Sequence, residues 1–315
     1  MKLTVASSPH IRGNFRTNRI MLDVVLALLP ALALGVAVQG WRALLVVLTS
    51  VITAMLAEYT YCLILRSRDT TLDRSCIVTG LLLGMTLSAS VPIWLVILGN
   101  VFAIIVVKCL CGGLGQNIFN PALAGRAFMM LVYPVGMTRY EAAMDAVSSA
   151  TPLHHMVMPA LPEESLLDML LGLIPGSIGE ASALALLLGG VYLVLRKVIS
   201  PRIPAAYLGT MAVLTLIFSK TGQPVLWMLY SLLGGGVMLG AIFMATDYAT
   251  SPVTAKGQLL YGAGCGILTV LFRYYGLYPE GVTYAILLMN LCAWAIDRFT
   301  APRVYGTKKG GKANA

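Results

Sequence analysis

Apolar runs close to the ~20 residues that cross a bilayer as a helix recur along the whole chain. They lie at approximately 20–38, 43–65, 76–90, 93–111, 120–134, 180–198, 204–219, 225–244, 258–275 and 280–299. Strand-like alternation does not recur, which favours a helical bundle over a barrel. The longest polar interruption, residues 135–179, carries Glu141, Asp145, Glu163, Glu164 and Asp168 against the single base Arg139, with a short interfacial helix expected from Leu166 to Leu173. The pattern predicts an all-α integral membrane protein with ten transmembrane helices. Residues 1–19 form a cytoplasmic basic lead, 20–134 a first five-helix repeat, 135–179 an extracytoplasmic loop, 180–299 a second five-helix repeat, and 300–315 a cytoplasmic tail.

The two halves carry a related feature. Gly80 and Gly84 lead into Ser88-Ala89-Ser90-Val91-Pro92, and Gly236 and Gly240 lead into Thr246-Asp247-Tyr248-Ala249-Thr250-Ser251-Pro252. Each is a small-residue helix ending in a polar run closed by proline. Five spans per half reverse the direction of the second half, so the halves are expected to be inverted repeats. Interrupted helices at equivalent places in such halves point to a site near the bilayer midplane. The same glycine spacing also serves simple close packing of helices.

Composition agrees with the apolar pattern. The 315 residues are 58% hydrophobic and 11% charged, where a soluble domain is about 25% charged. Such a chain cannot cover its surface with polar groups, and lipid is its expected solvent. The first apolar run starts only at Ile20 and leads into more membrane, so no cleavable leader is expected. The net charge of +9 invites a nucleic-acid reading, but its distribution argues otherwise. With both termini inside, 18 of the 22 lysines and arginines, Lys108 and Arg126 among them, fall on the cytoplasmic side. Only Arg42, Arg139, Lys220 and Arg273 fall outside. That bias supports ten spans with both ends inside and argues against a polyanion site.

Cys62, Cys76, Cys109, Cys111, Cys265 and Cys292 form no C-x-x-C pair and read as buried small hydrophobes, and three histidines are too few for a spaced metal set, so no metal is expected. His154 and His155 follow the polar stretch at 145–153 and read as loop residues, with a place near a bound ligand as the alternative. Asp23 sits near the cytoplasmic end of the first span and can reach the interface. Glu58, in the second span, is the more informative carboxylate, because an acid within a bilayer marks a partner or pathway by default.

Three segments carry candidate chemistry. Asp145-Ala146-Val147-Ser148-Ser149-Ala150-Thr151-Pro152-Leu153 presents the Thr151 hydroxyl among small residues, on backbone that Pro152 keeps out of a helix. Without context this is an ordinary turn or helix cap. Gly112-Gly113-Leu114-Gly115-Gln116-Asn117-Ile118-Phe119-Asn120-Pro121-Ala122 places flexible backbone and amides between spans, suited to a flat polar ring system or an ion. Asp247 to Pro252 is its counterpart, and such backbone at membrane depth must line protein or water. An ordinary interhelical loop is the competing reading.

These three motifs, in this order and within ten spans, resemble the NqrB/RnfD family, the membrane subunits of Rnf-type and sodium-pumping NADH:quinone redox complexes. The resemblance covers essentially the whole chain. The 145–151 stretch matches the family's flavinylation pattern, Asp-x-x-Ser/Thr-x-Ala-Thr, with Ser149 where glycine is common. The resemblance implies FMN joined to Thr151 through a phosphoester, with Asp145, Ser148, Ser149 and Ala150 completing the recognition stretch and an extracytoplasmic flavin transferase installing it. It also implies a second, non-covalent flavin, riboflavin, within the bundle. Asn117, Asn120, Asp247 and Thr250 are assigned to that flavin from polarity alone.

The short lead before the first span resembles the D-type subunits of Rnf complexes more than the quinone-reductase branch. The implied function is electron relay between ferredoxin and NAD pools, coupled to Na⁺ or H⁺ translocation and shared with the A, B, C, E and G subunits. Asp23, Glu58 and Asp247 are the acids available on the inner side for that coupling. No dinucleotide-binding strand–Gly-loop–helix unit is present, so the chain is not expected to bind NAD itself. The quinone-reductase variant and a passive channel of the urea-transporter type, built on a similar inverted five-helix plan, stay open as alternatives.

Overall fold

The computed structural model describes residues 17–65, 73–137, 165–172, 176–180, 182–276 and 281–302, all helix, turn or loop and none strand. The elements are α1 (Thr17–Gln39), α2 (Trp41–Ile64), α3 (Ser75–Met85), α4 (Ile93–Val101, continuing as a π-helix over Phe102–Cys109), α5 (Pro121–Val132) and a short α6 (Leu166–Leu171). The second half holds α7 (Ala183–Leu195), α8 (Arg202–Ile217), α9 (Pro224–Leu233), α10 (Val237–Leu239, continuing as a π-helix over Gly240–Met244), α11 (Ala255–Tyr275) and α12 (Val282–Thr300). Each of the ten apolar runs contains a helix, with α9 and α10 sharing the run at 225–244.

Local chemistry starts these helices where they start. The Asn120 side chain accepts from the backbone N–H of Ala122 and Leu123, and Pro121 occupies the first turn, where its missing donor costs nothing. Ser165, Ser182 and Thr254 cap α6, α7 and α11 in the same way. The loop before α5 turns on Gly112, Gly113 and Gly115, all at positive φ, a region that glycine enters without a Cβ penalty.

Among the described residues, α1, α2, α11 and α12 are each long and apolar enough to cross a membrane, and α9 with α10, bent by 63° at their junction, has the geometry of a broken span or a re-entrant loop. The exterior is itself apolar: Trp41, Ile64, Leu131, Leu195 and Phe299 are all highly exposed, as expected for helices whose outer faces meet hydrocarbon. The chain is a multi-pass membrane protein.

Small residues bring the helices together. A methyl on Gly80 would lie 2.8 Å from the Val51 Cα, and one on Gly84 3.1 Å from the Val47 Cα, so both glycines seat α3 on α2. Gly236, the partner expected from the second half, sits instead at the break between α9 and α10 with φ 66°. The two glycine pairs therefore do different local work. Gly262 and Gly266 let α11 approach α8 at the Ile203 and Tyr207 carbonyls. The Tyr207 hydroxyl pairs with Thr269 Oγ1 at 2.6 Å across that contact. Gly189 of α7 packs on the Ala27 carbonyl of α1 and joins the halves. Inter-helix polar bonds add to this packing: Asn100 Nδ2 donates to Ser50 Oγ at 2.9 Å, and Ser50 Oγ donates to the Gly80 carbonyl at 2.6 Å.

Two helix ends stop inside the bundle, and each is met by an arginine. Arg126 Nη1 donates to the Thr86 carbonyl at the end of α3 at 2.5 Å. Arg273 donates to the carbonyls of Ser231, Gly234 and Gly235 at the end of α9, at 2.5, 2.8 and 3.2 Å. Carbonyls at a helix end have no intrahelical partners and carry partial negative charge. In hydrocarbon a cation is an effective way to satisfy them.

This corrects the charge count. Lys108, Arg126 and Arg273 are buried or half-buried internal groups, not loop charges that face the membrane surfaces; setting them aside leaves the imbalance between the two sides intact. The expected helix near Leu166 is present as α6, with Met169 buried against Trp227 and Tyr230. The cysteines divide: Cys62, Cys76 and Cys265 are buried, Cys109 is half-buried, and Cys111 and Cys292 are exposed rather than internal.

Candidate functional site

A cavity of about 70 Å³ lies between the halves, where α1, α3 and the 112–122 loop meet the end of α10. Its polar lining includes Ser75, Thr79, Lys108, Asn117, Asn120, Thr246, Asp247 and Tyr248, among apolar groups such as Val78, Leu82 and Phe243. Both π segments reach it, through Lys108 and Phe243. In each, the ladder steps to i→i−5, with the Leu110 N–H on the Ile105 carbonyl and the Ala245 N–H on the Gly240 carbonyl. Single π segments inside α-helices are frequent at functional sites, since the extra residue re-aims side chains.

The wall formed by α2, α3 and α4 holds a buried ion pair. Lys108 Nζ lies 2.5 Å from Glu58 Oε2 and donates to Ser75 Oγ at 2.7 Å, with the two charged side chains 2% and 1% exposed. Glu58 is therefore an internal partner of a lysine and not an interfacial group. Asp23 is also buried. Both its oxygens accept from Arg196 Nη2, at 3.2 and 3.3 Å, and Oδ1 accepts from the Tyr192 hydroxyl at 3.1 Å.

The four residues assigned from polarity separate. Asn117 is 6% exposed and its Oδ1 has no hydrogen-bond partner. A buried acceptor left open is costly, and here it lines the cavity. Asn120 reaches the cavity too, but its polar atoms are committed: Oδ1 caps α5, and Nδ2 donates to the Met244 carbonyl at 3.2 Å. Its role is to tie the first half to the end of α10.

Asp247 shapes its own turn, accepting weakly from the Ala249 N–H and the Thr250 hydroxyl at 3.5 and 3.4 Å. Thr250 is buried behind it and does not line the cavity, so its assignment as a ligand contact is not supported. Asp145, Ser148, Ser149, Ala150 and Thr151 lie outside the described residues, as do His154 and His155.

Polarity alone missed Lys108, Ser75 and Thr79. A lysine and a glutamate inside two apolar runs was the signal available, because one charge at that depth calls for the other. An open amide acceptor, hydroxyls and an ammonium beside apolar walls can meet the polar edge of a flat ring. The enclosed volume admits a ring edge rather than a whole tricyclic system. Among the described residues no group of three His, Cys, Asp or Glu side chains could hold a metal ion.

Comparison with known proteins matches residues 4–306 to the family described as NQR2, RnfD, RnfE. The D subunit of the Na(+)-translocating ferredoxin:NAD(+) oxidoreductase complex of Acetobacterium woodii is 48% identical, over 98% of this chain and 97% of its own length. The D subunit of the proton-translocating ferredoxin:NAD(+) oxidoreductase complex of Clostridium ljungdahlii is 42% identical over 97% of each chain. The D subunit of the ion-translocating oxidoreductase complex of Erwinia tasmaniensis is 36% identical, over 98% of this chain and all of its own. With its helical membrane fold and a match running almost from end to end, the chain belongs to the NQR2, RnfD, RnfE family.

Proposed function

We propose that this chain is the flavin-bearing D-type membrane subunit of an Rnf-type complex, relaying electrons between ferredoxin and NAD pools with coupled movement of Na⁺ or H⁺. The observation that carries it is the near-complete correspondence with two D subunits of ferredoxin:NAD(+) oxidoreductase complexes in a chain that also holds the Asp145–Thr151 motif. One of those relatives is named for sodium and the other for protons, so similarity leaves the ion open. In this reading all ten apolar segments cross a bacterial inner membrane as two inverted five-helix halves with both termini cytoplasmic. Two of the shorter helices, α3 and α9, end inside protein, where Arg126 and Arg273 satisfy their carbonyls.

Thr151 carries FMN through a phosphoester, with Asp145, Ser148, Ser149 and Ala150 recognised by a flavin transferase. The partners are the other Rnf subunits, A, B, C, E and G. A second flavin, riboflavin, sets its ring edge against Asn117 in the cavity between the halves. Bound flavin supplies the electron-transfer chemistry, and the protein supplies position and surroundings. Within this chain Asn117 presents an acceptor, Lys108 and Glu58 set a fixed dipole beside it, and the apolar walls exclude water.

The complex, expressed with the transferase, is run on a denaturing gel and read for flavin fluorescence at this chain. Fluorescence is expected in the parent and absent in Thr151→Ala. Flavin persisting on Thr151→Ala overturns the covalent assignment. Flavin extracted without hydrolysis from Thr151→Ala reports the second site, and Asn117→Leu is expected to lower that fraction. An unchanged fraction removes Asn117 from the site.

A further inference from the structure

A second, larger cleft opens where α1 begins and α7 ends. It encloses about 330 Å³ between Arg19, Ile20 and Asp23 on one side and Leu195, Arg196 and Lys197 on the other. Ile20 and Tyr248 line both this cleft and the cavity between the halves. We propose that the cleft binds the phosphate-bearing headgroup of an anionic phospholipid.

Charge is the first reason. Three cations face one carboxylate, and that carboxylate is already used. Asp23 accepts from Arg196 through both oxygens and from Tyr192. Arg19 and Lys197 are exposed, and among the described residues their side chains have no hydrogen-bond or ion-pair partner. They come from elements far apart in sequence and converge on one concavity, which a merely solvated charge run would not do.

The backbone at Lys197 is the second reason. The Val198 N–H bonds back to the Leu193 carbonyl at 2.9 Å, closing the end of α7, and Lys197 sits at φ 57° just before it. Glycine suits that position. A lysine there carries backbone strain and puts an ammonium at the mouth of the cleft.

The wall identifies the kind of anion. Leu195 is 76% exposed beside the cations, and Ile20 lines the same cleft. A free phosphate has no use for that apolar face, whereas a lipid lays its acyl chains along it while its phosphate meets the guanidinium and ammonium groups. Basic pockets between helices at the end of an apolar belt are suited to such headgroups.

The test uses the whole purified complex in detergent, labelled with a photoactivatable phosphatidylglycerol and competed with phosphatidylglycerol, phosphatidylcholine or inorganic phosphate. Adducts are expected on the peptides around Arg19 and Leu195–Arg202, displaced by phosphatidylglycerol and not by the other two. At about fivefold per basic side chain near a membrane surface, Arg19→Gln with Lys197→Gln is expected to weaken labelling roughly 30-fold. Lys256→Gln with Arg298→Gln removes the same charge at the same end of the fold, outside the cleft, and is expected to leave labelling unchanged.

Lys197→Gly removes one charge while relieving the strained backbone, so its expected loss of about fivefold does not depend on a destabilised fold. Arg196 and Asp23 stay untouched throughout. Equal losses in the two double variants would reduce the effect to diffuse surface charge and overturn the proposal. So would displacement by inorganic phosphate, which marks a free-anion site, or equal displacement by phosphatidylcholine.

Discussion

Replacing Lys108 with methionine probes the buried pair beside the cavity most sharply. The ammonium and the Glu58 carboxylate are 2.5 Å apart and almost wholly buried, so neither has bulk water as a substitute partner. Taking away one member of such a pair leaves a buried charge and costs about 3–5 kcal/mol. Replacing both with apolar residues of similar volume, Lys108→Met with Glu58→Leu, removes the desolvation penalty along with the attraction and is about neutral. Ser75→Ala should fall between these, at about 1.5–3 kcal/mol, because it removes a hydrogen bond to a charged donor.

The assay is thermal unfolding of the purified complex in detergent, followed with a thiol-reactive dye. Cys62 and Cys76, packed on the same helices, and Cys265 are buried and become reactive only on unfolding. A clear loss for the single variant, restored in the double, is expected. The reasoning fails if the single variant is as stable as the parent, or if the double is as damaged as the single.

Other outcomes follow from the same geometry. Gly80→Ala puts a methyl 2.8 Å from the Val51 Cα, and it is expected to lower stability by about 1–3 kcal/mol by forcing α3 off α2. Asn120→Ala removes the cap of α5, a loss of about 1 kcal/mol; it also frees the Met244 carbonyl, so the measured cost should exceed that of a surface cap such as Ser165→Ala. Arg273→Met strips three carbonyls at the α9–α10 break of their donor. It should speed cleavage or hydrogen exchange around Gly234–Gly236 well before global unfolding, and unaltered exchange there would show that the arginine is not holding the bend.

Much of the fold was legible because a hydrophobic run of bilayer length is a local signal. Each of the ten runs contains a helix, and Asn120-Pro121 marked a helix start through chemistry confined to neighbouring residues. Polar positions were harder to read. Asn117 and Asn120 sit three residues apart in one motif, yet one is a committed cap and the other an open acceptor, and only tertiary partners such as the Met244 carbonyl separate them. The Lys108–Glu58 pair joins α4 to α2 across 50 residues, and the arginines that finish α3 and α9 come from α5 and α11. Sequence gives no register for such pairings, so charges that turned out to be internal caps were counted as topological ones. The Thr151 motif carried its meaning through resemblance, because a threonine before a proline has no distinctive chemistry of its own.

The most direct measurement of the central claim is the intact mass of this chain, purified from the assembled complex out of a host that has the flavin transferase. The account predicts one added FMN joined with loss of water, mapped by fragmentation to Thr151 and missing in Thr151→Ala. A parent chain at its unmodified mass would contradict it.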